Sequence, residues 1–165
     1  MKHTAEEIIA KLGLTKLPEE GGLYRETYRC AQEMHLPHGV RNCCTAIYYL
    51  VTPDEFSALH RVASDEIVHF YVGDPVEMFQ LWDDGAAQTI RLGSDILGGE
   101  FPQVVVPAGV WQGTRLVEGG AWALLGCTVS PGFELADFEA GHRESLLAAF
   151  PALRDPLLRY TRPER

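Results

Sequence analysis

No apolar run in this chain is long enough to cross a bilayer. Stretches such as Ala121–Leu125 and Val104–Val106 fall far short of the roughly 20 residues a spanning helix needs. The N-terminal segment Met1–Glu7 has no apolar signal-peptide core, so the expected location is cytoplasmic. No run of Lys or Arg is longer than a pair, and 14 basic residues face 23 acidic ones for a net charge of −9. A nucleic-acid partner needs a positive face to neutralise phosphates, and an anionic membrane surface needs the same, so neither is expected. None of the four cysteines forms a C-x-x-C pair, which argues against a structural zinc site. Cys30, Cys43, Cys44 and Cys127 are expected to be reduced thiols, some of them buried as small hydrophobes. Repeats, linkers and low-complexity tracts are also missing, so residues 1–165 read as one domain.

What is present is enough for one packed core: 165 residues, of which 46% are hydrophobic. Thr4-Ala5-Glu6-Glu7 reads as a capping box, with Ile8, Ile9 and Leu12 at helical spacing and Gly13 as the stop. Pro18-Glu19-Glu20-Gly21-Gly22 reads as a turn. Short segments rich in aromatic and β-branched residues follow: Leu23–Arg29, Thr45–Val51, Glu66–Val72, Glu77–Trp82, Gln88–Leu92, Gln103–Pro107 and Trp122–Val129. Asp84-Gly85 between two of them is a hairpin signal. His142–Phe150 turns helical, with Leu146, Leu147 and Phe150 on one face, and Pro151 and Pro156 limit Ala152–Tyr160 to one more short helix. Many short strands at regular spacing predict an antiparallel sandwich or barrel.

Two stretches carry the chemistry. His60-x-Val62-x3-Glu66-x6-Gly73 is the first, and Pro107-Ala108-Gly109-Val110-Trp111-Gln112 is the second. They resemble the two signatures of the cupin superfamily, G-x5-H-x-H-x3-E-x6-G and P-x-G-x2-H. Val62 and Gln112 stand at two of the four usual metal-binding positions, each in place of a histidine. Further segments, among them Glu20-Gly21-Gly22-Leu23-Tyr24-Arg25-Glu26-Thr27-Tyr28 and Gly126-Cys127-Thr128-Val129-Ser130-Pro131-Gly132-Phe133, are similar to the small single-domain cupins of unknown function. The resemblance covers residues 13–150. It implies an all-β double-stranded β-helix, the cupin jelly-roll barrel, with a core over about residues 20–135, a short N-terminal helix and a helical C-terminal tail. It is similar to the deoxysugar epimerases of nucleotide-sugar pathways, and it implies a homodimer. It implies no assigned activity.

Strand alternation sorts the candidates. If Glu66 points into the barrel, so do Val68, Phe70 and Val72, while His69 and Tyr71 point out. His60 and Val62 share a face, and His60 is a natural partner for a carboxylate that burial would otherwise penalise. His60 and Glu66 are therefore the candidate catalytic pair. Gln112 can orient a substrate oxygen but is a poor metal ligand. Arg25 and Thr27 share one face of their strand, opposite Tyr24, Glu26 and Tyr28. An inward Arg25 would bind an anionic group, and an outward one would pair with a surface carboxylate. One of Tyr48 and Tyr49 must face the cavity, and alternation leaves open which. The candidate ligand-binding residues are thus Gln112, Arg25, Thr27, Phe70, Tyr48 and Tyr49. No metal or other cofactor is expected; a weakly held divalent ion would have His60, Glu66 and Gln112 as donors.

Three functions fit this pattern. The first is a metal-independent isomerase, epimerase or lyase using acid–base chemistry on a small polar or carbohydrate-like ligand. The second is a small-molecule-binding module without turnover. The third is a metal-dependent oxygenase, which needs three or four good ligands and has two of the usual ones.

Overall fold

The computed structural model describes residues 3–163. The capping box forms as the sequence reads: Thr4 caps helix α1 (Ala5–Leu12), with Glu7 reaching back, and Gly13 closes it in the left-handed conformation. Of the thirteen strands among the described residues, twelve then lie between residues 15 and 130. One antiparallel sheet has six strands in the order β1 (Thr15–Lys16), β2 (Leu23–Arg29), β5 (Thr45–Val51), β12 (Ala123–Ser130), β7 (Asp65–Gly73), β10 (Gln103–Val106). The other has five, in the order β13 (Phe138–Ala140), β6 (Ser57–Val62), β11 (Trp111–Leu116), β8 (Val76–Leu81), β9 (Ala87–Leu92). A separate hairpin, β3 (Glu33–Leu36) and β4 (Gly39–Asn42), projects between β2 and β5. The result is a jelly roll of two facing sheets. The ladders are linear and do not close on themselves, so the expected barrel is open at its edges.

Three apolar clusters hold the layers together. The first lies between the sheets and includes Tyr49, Val51, Val68, Met78, Val104, Leu125 and Cys127. The second joins the outer side of the five-stranded sheet to helices α2 (Arg143–Ala149) and α3 (Arg154–Tyr160) through Leu59, Phe79, Trp111, Leu146, Leu157 and Tyr160. The third packs α1 on Leu23, Leu50, Trp122 and Leu124. The five-stranded sheet is therefore covered on both faces, and β6 and β11 are buried along almost their whole length. Two-sided burial removes the apolar–polar alternation by which strands are recognised. That is why neither strand stands out in the sequence.

Register breaks redirect side chains elsewhere. Against β12, β7 shifts at Tyr71, and Val72 ends up 48% exposed where alternation predicts it inside. Against β5, β2 shifts at Thr27. Past that bulge Tyr28 turns outward, and Arg29 joins Tyr24 and Glu26 on the inner face.

Candidate functional site

A cavity of about 410 Å³ opens between the sheets, within the size range of small-ligand sites. Its floor is built from both sheets. Strand β6 supplies His60, and its neighbour β11 supplies Gln112 directly opposite in register. Glu66 comes from β7 in the other sheet. The Gln112 side-chain amide donates to Glu66 Oε2 at 2.5 Å, so a polar bridge spans the gap between sheets. All three groups are buried.

Burial is the main cause that raises the Glu66 pKa above the usual carboxylate value. The nearby Glu20 charge pushes the same way, while His60 and hydrogen bonds from Cys127 and Gln112 oppose it. His60 Nδ1 sits 2.8 Å from the Ala58 carbonyl. A carbonyl can only accept, so Nδ1 carries the proton and Nε2 presents its lone pair. That Nε2 lies 3.8 Å from Glu20 Oε2, close enough to pair if the ring takes a second proton. The ring stacks on Phe138 with centroids 5.3 Å apart, which fixes its plane.

Glu20 reaches the cavity through the turn before β2. Ser57 Oγ donates to Glu20 Oε1 at 2.8 Å, the Ala58 amide donates to its carbonyl, and Arg162 Nη1 donates to the same carbonyl at 2.6 Å. Gly22, at φ 71°, ends the turn beneath the Tyr49 ring; a Cβ there would come within 2.4 Å of the Tyr49 hydroxyl. Tyr49 donates to the Gly21 carbonyl at 2.7 Å. Burial, with Glu20 nearby, holds its phenol well above the ordinary value. Cys127 lines the same wall beside Glu66, and burial pushes its thiol well up too.

The mouth is polar and crowded with carboxylates. Arg29 makes a two-pronged contact with Glu26 (3.1 and 2.8 Å), donates to Glu134 Oε1 at 2.7 Å and to Asn42 Oδ1 at 2.8 Å, and reaches the Phe133 carbonyl at 3.2 Å. Among the described residues, five glutamates (Glu19, Glu20, Glu26, Glu66, Glu134) line the cavity against one arginine, and that arginine is saturated.

Among the residues singled out from the sequence, His60, Glu66 and Tyr49 line this cavity, and Gln112 stands behind Glu66 as its donor. The other four do not reach it. Arg25 lies on the outer face over the Tyr48 ring, 5.5 Å from its centroid, and Tyr48 meets Tyr71 edge-on there. Thr27, at the bulge, donates to the Ala46 carbonyl. Phe70 packs against the core cluster instead of the cavity. Tyr24 pairs with Tyr49 and Arg25 with Tyr48 in the β2–β5 ladder, so each pair shares a face, and the Tyr49 face is the inner one. His69 is outward: Gln103 donates to its Nδ1 and its Nε2 meets Thr128 Oγ1. Sequence reasoning missed Glu20, Arg29 and Cys127 as site residues. The glycine pair after Glu20 was the only signal for the first, and Arg29 depends on a bulge that no local pattern announces.

The fold family commonly holds a divalent metal at this position, and the donor set here does not suit one. Val62 offers a hydrocarbon, and Gln112 turns its NH₂ toward Glu66 instead of offering an oxygen inward. Among the described residues no three His, Cys, Asp or Glu side chains are grouped to hold an ion.

The profile of the Cupin superfamily family DUF985 matches residues 6–141. An uncharacterized protein of Saccharomyces cerevisiae, YML079W, is 30% identical over 132 residues, covering 72% of this chain; the match spans 66% of that relative's own length. A hypothetical protein from Leishmania major superposes with a TM-score of 0.92 at 30% identity, covering 98% of this chain and 100% of the other. A Shewanella oneidensis protein, SO0799, gives 0.90 at 34% identity, with coverage of 98% and 99%. More distant likenesses, to a Bacillus subtilis oxalate decarboxylase (TM-score 0.57, 16% identity, 92% of this chain and 38% of that one) and a Desulfovibrio desulfuricans dTDP sugar isomerase (0.52, 14%, 72% and 83%), carry the fold alone.

Proposed function

This chain belongs to the DUF985 family of the cupin superfamily, and on that premise we propose that its cavity takes a small, uncharged, carbohydrate-like molecule and moves a proton on it without a metal. The observation that carries this reading is the buried His60–Glu66–Gln112 set beside Glu20, in a cavity that has five glutamates and no unsaturated arginine. An anionic ligand would meet carboxylates on most sides, and Arg29 has no donor left for it. Ligand hydroxyls, by contrast, can donate to the carboxylates that line the cavity. The aromatic faces of Tyr24, Phe133 and Phe138 suit the C–H side of a sugar-like ring.

Isomerisation, epimerisation or elimination each needs a base, an acid and a group to orient an oxygen. A carboxylate whose pKa is raised by burial is better matched to proton transfer near neutral pH than an ordinary one, so Glu66 serves as the base. Glu66 keeps the proton it removes; the proton delivered to the ligand comes from a His60 that enters the step as the imidazolium, stabilised by Glu20, and water resets both groups after release. Tyr49 holds its proton too tightly to be the acid, and so orients.

The test is a panel of aldoses, ketoses and sugar lactones with their phosphorylated counterparts, screened by thermal shift. Binders are then incubated with the protein in D₂O and followed by NMR for deuterium at carbon. Uncharged members should bind and exchange, and phosphorylated ones should not bind. Preference for the phosphorylated set would overturn the ligand class. Binding without any exchange would reduce the cavity to a carrier or sensor site.

A further inference from the structure

Three of the four thiols gather at the base of the β3–β4 hairpin. Cys30 follows β2 and Cys43 follows β4. The Cys43 amide donates to the Gln32 carbonyl at 2.8 Å, and the Cys30 amide to the Cys44 carbonyl at 2.9 Å, so the two segments run side by side. The Cys30 and Cys43 thiols are near enough to perturb one another's ionisation. Cys44 turns its thiol to the Thr45 carbonyl, and Cys127 is buried at the cavity wall, away from this cluster. A soft-metal clip is not what the cluster makes, because no third donor joins the two sulfurs among the described residues.

The two thiols differ in their surroundings. The Gln32 amide and then the Tyr28 hydroxyl hydrogen-bond to the Cys30 sulfur and hold its pKa below the ordinary thiol value. Burial pushes Cys43 the other way. One thiol is thus readier to attack, and the other stays protonated beside it.

We propose that Cys30 and Cys43 form a reversible oxidation site, at which hydrogen peroxide closes an intramolecular disulfide across the base of the hairpin. The Cys30 thiolate attacks one peroxide oxygen; an S–O bond forms, the O–O bond breaks, and the departing hydroxide takes a proton to become water. Cys43 then gives up its proton and attacks the Cys30 sulfenic sulfur. The S–S bond forms, the S–OH bond breaks, and a second water leaves. Two thiols lose two electrons in all, and the peroxide gains them. The bond falls next to the cavity mouth: Arg29 precedes Cys30, Asn42 precedes Cys43, and Arg29 donates to the Asn42 side chain. Oxidation therefore fixes the spacing of the rim guanidinium and one of the side chains that hold it, whatever the cavity binds.

The test uses the full chain exposed to hydrogen peroxide, followed by alkylation of the remaining thiols and peptide mass spectrometry. The expected product is one disulfide linking the Cys30 and Cys43 peptides, lighter by two hydrogen atoms and reversed by dithiothreitol. Cys44→Ser should leave it intact, and Cys43→Ser should halt at a sulfenic acid on Cys30 that dimedone traps. Chain-to-chain cross-links, a bond through Cys44, or sulfinic acid on Cys30 beside a free Cys43 would each overturn the assignment. So would dimedone labelling of Cys43 in Cys30→Ser as strong as that of Cys30 in Cys43→Ser.

Discussion

Glu66→Gln removes a charge while keeping the shape and the acceptor that Gln112 needs. The Gln112 amide donates to Glu66 Oε2, and a glutamine oxygen can take that bond over. The substitution should therefore fold, and its stability should report the cost of the buried charge. In the wild type, burial raises the Glu66 pKa above its unfolded value. A group raised in this way contributes its full stability below the unfolded carboxyl pKa, about pH 4, and loses that contribution as pH rises through the folded value. The variant lacks this titration. Denaturant unfolding should show Glu66→Gln gaining on the wild type as pH rises from about 4 to about 8, with the smallest difference at the acid end. Glu66→Ala is the contrast: it leaves the Gln112 donor without its acceptor, costing about 1–3 kcal/mol, and each kcal/mol lowers Tm by about 2–4 °C in a chain of this size. In the deuterium-exchange assay, loss of the base should lower the rate by about 10²- to 10⁴-fold in both variants. A Glu66→Gln chain that loses stability relative to wild type as pH rises would show that the carboxylate is favourably paired. The base assignment would then fall.

Asp137→Asn should destabilise the fold, read by urea unfolding, because it removes the charge of the carboxylate that grips Arg41 at 2.5 and 2.6 Å and leaves the guanidinium, among the described residues, only the Val40 and His38 carbonyls as other partners. Hydrogen bonding to Arg41 lowers the Asp137 pKa, so in the wild type this stabilisation is present above about pH 4 and is lost as pH falls through the lowered value. Val62→His with Gln112→His should raise divalent-metal affinity sharply over the wild type, measured by calorimetry and elemental analysis; one tightly bound transition metal per wild-type chain would contradict the reasoning. Light scattering at micromolar concentration is expected to show a homodimer, and a particle of only 18.3 kDa would rule it out.

Much of the fold is local and so could be read from the chain. The Thr4 capping box and the Gly13 stop place α1 to the residue, because capping is a contest among a few neighbouring groups. Leu23–Arg29 and Thr45–Val51 were legible as strands because β-branched and aromatic residues crowd them. The spacing of His60, Val62 and Glu66 and the Gly109–Gln112 segment identified the family and a cavity stripped of half its usual metal donors. Tertiary structure decided the rest. Strands β6 and β11 are covered on both faces, so a period-two pattern had nothing to display, although they carry His60 and Gln112. A bulge at Tyr71 broke the alternation that had placed Val72 inside, and one at Thr27 turned Tyr28 outward and brought Arg29 to the cavity; a bulge is set by how two strands meet, which neither strand records alone. Glu20 enters the site from a turn because Ser57, Ala58 and Arg162, all distant in sequence, hold that turn against the cavity. The sequence by itself determined which side chains were available. The charge of the cavity, acid-rich with its one arginine saturated, came from the packing of two sheets, since only packing brings Glu20, Glu26, Glu66 and Glu134 to one space.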